Sequence, residues 1–82
     1  MYFDNETEAS YCIEEMTREI WKVIRLVLAQ EARQDDVRGA VEKAKYLRLY
    51  IASYESRNYS RLPESSLWLA KEMVEAVVDL ID

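Results

Sequence analysis

An all-α fold is predicted: a three-helix antiparallel bundle that pairs into a dimeric helical bundle. Three observations carry this expectation. Apolar residues recur at three- and four-residue intervals over most of the chain. One Gly and one Pro leave long stretches without a breaker. Hydrophobic residues make up 50% of the chain and charged ones 33%, the balance of a helical globular protein rather than a disordered one. Eighty-two residues suffice for one domain. So short a chain buries a limited share of its surface and gains from a partner subunit.

Residues 1–6 are acidic and polar and read as a flexible N-terminal tail, leaving 7–82 as a single helical domain. The first helix is expected over about 7–34. Ala9, Cys12, Ile13, Met16, Ile20, Val23, Ile24, Val27 and Leu28 keep the helical step, and Thr17 and Trp21 widen the stripe to roughly 180°. Glu14, Glu15, Arg18, Lys22 and Arg25 take the other side, with Glu14 and Arg18 spaced as a direct i,i+4 pair.

Residues 32–39 form the first corner. Asp35 or Asp36 is placed to cap the next helix. A rival reading ends the first helix at Gly39 in a left-handed turn. The spacing of Val37, Ala40, Ala44, Leu47, Ile51 and Tyr54 favours the former, because a packing seam needs Val37 inside the second helix, about 36–57. Ala40 and Ala44 permit close approach of a neighbour. Outside lie Arg38, Lys43, Lys45 and Arg48 against Glu42, with Tyr46 and Tyr50 one turn apart beside them.

Asn58, Ser60 and Pro63 mark the second corner, and Pro63 suits the first turn of a helix over about 62–82. On that last helix the apolar sweep is roughly 200° wide, where a surface helix needs little more than about 100°. The surplus half, Leu69, Met73, Ala76 and Leu80, is expected to need a cover beyond what the other two helices supply. Trp68 stands apart from it, in angle with Glu72, Glu75 and Asp79.

Several chemistries are excluded or unsupported. Without His there is no imidazole base, phosphorelay histidine or common imidazole metal site. One Cys and one Gly remove intrachain thiolate zinc sites, disulfides and Gly-rich phosphate loops. No enzyme activity, cofactor or metal is expected. Glu72, Glu75 and Asp79 share a face within reach of a divalent cation, but a solvated face with a Lys71–Glu75 pair is preferred. Cys12 lies in the apolar stripe and reads as a small hydrophobe. The net charge of −5 disfavours general nucleic-acid and anionic-membrane binding. Two N-x-S/T matches, at Asn5 and Asn58, read as chance in a chain assigned to the cytoplasm by its lone cysteine and lack of an apolar leader.

What remains is binding. The expected partner-binding residues are Trp68, Leu69, Met73 and Leu80 for burial, with Glu72, Glu75 and Asp79 steering, and Tyr46, Tyr50 and Arg48 as a second contact. The function expected is a small acidic regulator that inhibits a protein target by occluding its surface, and that forms a homodimer. A structural or chaperone-like subunit of a larger assembly is the alternative, and a nucleic-acid module on Arg38, Lys43, Lys45, Arg48 and Tyr46 comes third. The short, acidic, histidine-free helical plan is similar in style to small inhibitors and antiactivators carried by phages and plasmids, a likeness of size and charge that no motif carries.

Overall fold

The order of elements is α1 (Glu6–Leu28), α2 (Gln34–Ser56) and α3 (Glu64–Ile81), packed together as a three-helix bundle. The computed structural model describes the backbone of residues 5–81 and the side chains of residues 5–79. The expected tail therefore lies outside the described residues up to residue 4, as does the side chain of Leu80. Glu6 is not part of a tail: it opens α1, and its Oε2 accepts the backbone N–H groups of Ser60 and Arg61 at 2.6 and 2.9 Å. That contact fastens the start of α1 to the loop before α3.

Local chemistry sets each helix end. Asn5 caps α1, its Oδ1 accepting the Glu8 N–H at 2.8 Å. The helix stops at Leu28, six residues before the expected end at 34, because Gln30 takes a left-handed conformation with φ 59°. Gln30 N–H then donates to Val27 O and Glu31 N–H to Leu26 O, which together satisfy the last carbonyls. Asn58, φ 57°, ends α2 in the same way, with Asn58 N–H on Glu55 O and Tyr59 N–H on Tyr54 O. Gly39 is no terminator: it lies within α2 and has no positive φ. Arg33, not Asp35 or Asp36, is the N-cap residue of α2, but Asp36 does cap it as the acidic half of a capping box. Both acids sit in its first turn behind Arg33, and the Asp36 carboxylate accepts the Arg33 N–H at 3.0 Å. Pro63 directly precedes α3, its carbonyl accepting from Ser66 and Leu67.

Ala9, Ile13 and Ile20 of α1 bury against Ala40, Ala44, Leu47, Ile51 and Tyr54 of α2 and Ala70, Met73, Val74 and Val77 of α3. The seam inferred for α2 is thus the face it buries. Ala40 and Ala44 are small and buried, which lets the helices approach closely; the α1–α2 interface is the most extensive of the three and the α1–α3 interface the slightest. Between the last turn of α2 and α3, the Leu62 N–H donates to the buried Tyr54 hydroxyl at 2.8 Å, and Tyr59 stacks edge-on against the Tyr54 ring at 5.6 Å.

Candidate functional site

The slight approach of α1 to α3 leaves a groove. Ile13, Thr17 and Trp21 line one bank, Pro63, Leu69 and Met73 the other, around a hollow of about 500 Å³. Glu14 and Arg18 rim it, and Arg18 is held by Glu14 at 3.9 Å and Glu15 at 3.7 Å. The Glu14–Arg18 pair is the one the spacing predicts. The local reason for the groove is helical spacing. Thr17 and Trp21 are four apart on the edge of the α1 stripe, and Leu69 and Met73 are four apart on the facing edge of α3. Thr17 spends its hydroxyl on Ile13 O at 2.7 Å and so presents its methyl side as an apolar neighbour.

The surplus apolar half of α3 needs correction. Met73 is 8% exposed and belongs to the core, and Ala76 is half-buried. The physical reason is that α3 packs against both other helices, so its wide sweep is covered from two sides within one chain. Among the described residues of that sweep, its edges stay open: Leu69 toward α1 and Val78 toward α2. Leu69 is 45% exposed and faces the groove with Trp21, also 45% exposed. Trp21 was read only as widening the α1 stripe. Its position at the edge of an over-wide stripe was the available signal.

Trp68 is 62% exposed and lines neither the α1–α3 groove nor the hollows of the α2–α3 seam. It shares the polar side of α3 with Glu72 and Asp79, while Glu75, on the flank of that side, reaches the seam with α2. Among the described residues no cation pairs with those three acids. Lys71 pairs with Glu55 of α2 at 3.0 Å rather than with Glu75 as the spacing suggested, although Glu75 lines the same hollow. The structure also divides the second expected contact. Tyr46 and Tyr50 stack at 6.4 Å, Tyr46 exposed and Tyr50 half-buried against the core. Arg48 does not join them. It lines the seam between α2 and α3 with Val74.

Of the bases proposed for nucleic acid, Lys43 pairs with Glu19 at 3.6 Å and Lys45 with Glu42 at 3.7 Å, which lessens their free charge. Cys12 is half-buried, and burial first, then the neighbouring Glu8 carboxylate, pushes its thiol pKa up. Among the described residues no group of three or more Cys, Asp or Glu is arranged to hold a metal ion, and every buried side-chain nitrogen or oxygen has a hydrogen-bond partner. No described helix is long and apolar enough to cross a membrane.

The fold is an all-α three-helix bundle with an apolar groove between α1 and α3. Comparison with protein-family models, with curated proteins and with solved structures returned no match.

Proposed function

We propose that this chain is a small non-enzymatic regulator that binds another protein through the α1–α3 groove. The observation that carries the reading is the pair Trp21 and Leu69, both about half exposed across a floor of Ile13 and Met73. A large aromatic beside an aliphatic anchor in a groove of this size is the composition of an interface centre. The occupant is an amphipathic helix with apolar residues at three- and four-residue spacing and Lys or Arg on its flanks. Charge supports that choice. The net charge is −5, and Glu72, three residues from Leu69 on α3, holds no cation among the described residues, so a basic segment is drawn in and an acidic one repelled.

The mechanism is occlusion. A partner segment laid in the groove loses access to its own target for as long as it stays bound. The lone, half-buried thiol suits a reducing compartment, and we assign the activity to the cytoplasm.

The test uses the two tryptophans as separate reporters. In a Trp68→Phe variant Trp21 alone fluoresces. A synthetic amphipathic helical peptide with a Leu face and Lys flanks should shift that emission to the blue, less so at high salt. In a Trp21→Phe variant the remaining Trp68 should stay unshifted. A Trp21 spectrum unmoved by peptide in large excess overturns the groove reading.

A further inference from the structure

A different face of α3 carries a second, independent signal. The seam between the antiparallel helices α2 and α3 holds two consecutive hollows that share Arg48 and Val74. Its outer edges are apolar and open at Leu49 on α2 and Val78 on α3. Charges of opposite sign stand on the two banks at both ends. At one end Glu55 of α2 faces Lys71 of α3, already joined at 3.0 Å. Toward the other end α2 carries Lys45 and Arg48, and α3 carries Glu75 and Asp79. Glu75 and Arg48 line the same hollow, yet among the described residues Arg48, Glu75 and Asp79 have no ion-pair partner.

We infer that this seam is covered by a second copy of the chain. A two-fold axis along the seam sets α2 of one copy against α3 of the other, so each helix meets an antiparallel neighbour, as in a four-helix bundle. Leu49 and Val78 are then buried at the centre. Arg48 of each copy, with no ion-pair partner among the described residues, meets the Glu75–Asp79 bank of the other, Lys45 beside it being held by Glu42 at 3.7 Å, and Glu55 meets Lys71. A two-fold axis across the seam is disfavoured, because it sets Arg48 against Glu55, whose charge Lys71 already balances, and leaves Glu75 and Asp79 against a lysine already engaged. The α1–α3 groove lies on the other side of α3 and stays open in this dimer. The inference therefore stands or falls separately from the proposed function.

The experiment is sedimentation equilibrium over a dilution series, with circular dichroism as the control for folding. The wild-type chain should dimerise, more weakly as salt rises. Arg48→Glu should raise the dissociation constant roughly tenfold or more, since a like-charge contact replaces an attractive one on both sides of the axis. The pair Glu75→Arg with Asp79→Arg should do the same. An equimolar mixture of the two variants should restore dimers, because along the seam both banks are again complementary. A wild-type monomer at all concentrations, a dimer indifferent to Arg48→Glu, or a mixture that stays monomeric each overturns the inference.

Discussion

Leu62 donates its backbone N–H to the hydroxyl of Tyr54 at 2.8 Å, and both residues are buried. The bond joins the last turn of α2 to the residue before Pro63, and so fixes where α3 begins. Tyr54→Phe keeps the ring and its edge-on contact with Tyr59 but leaves a buried N–H unpaired. That should cost about 1–3 kcal/mol. For a domain of this size each kcal/mol lowers the melting temperature by about 4–8 °C. Thermal unfolding followed by circular dichroism measures it, and a melting temperature within a degree of wild type would deny the bond a stabilising role.

The residues that end and interrupt helices predict gains rather than losses. Gln30 holds a left-handed backbone that disfavours any side chain with a Cβ, by about 1–2 kcal/mol. Gln30→Gly keeps both terminating hydrogen bonds and should stabilise the fold by about 1 kcal/mol. Gly39 sits inside α2, and a Cβ built there meets nothing within 4 Å. Gly39→Ala should also add about 1 kcal/mol. Urea denaturation of each variant checks these gains, and the double variant should show their sum.

Those two positions also explain where the sequence could and could not be read. The α2 seam was legible because Ala40, Ala44, Leu47, Ile51 and Tyr54 all bury, and their three–four step comes directly from helix geometry. The end of α1 was not, because its terminator is a glutamine, a residue type that rarely takes a left-handed turn, while the only glycine nearby lies mid-helix. The candidate site was half legible. Periodicity assigned Leu69 to an apolar face of α3, but it says nothing of which helix lies against that face. Spacing alone puts Met73 on a surplus face and Trp21 at the edge of the α1 stripe, whereas packing buries the first and leaves the second on the bank of the groove.

Cys12 should react slowly with alkylating reagents. Its thiol is half-buried, and burial together with Glu8 disfavours the thiolate, which is the reacting form. At neutral pH iodoacetamide should modify it roughly tenfold or more slowly than free cysteine, with the rate still rising at pH values where free cysteine has levelled off. Glu8→Gln should speed the reaction only slightly, since burial is the larger cause. A rate equal to that of free cysteine in the folded chain would mean the thiol is neither shielded nor shifted.

Leu69 and Met73 stand one turn apart on α3, yet they should respond oppositely to substitution. Met73 is a core residue at 8% exposure, so Met73→Ala removes buried atoms and leaves a cavity, at a cost of about 2–5 kcal/mol. Leu69 is 45% exposed and touches the core only along one side, so Leu69→Ala should cost less than about 1.5 kcal/mol. Binding of the basic helical peptide should rank the other way. Leu69→Ala in an otherwise stable chain weakens it several-fold or more, because the exposed leucine becomes buried only when the groove is filled and alanine forfeits that burial. Denaturation curves and peptide titrations on the same two variants separate the roles. If Leu69→Ala proved as destabilising as Met73→Ala while leaving peptide affinity unchanged, Leu69 would be core and the groove would lose its anchor.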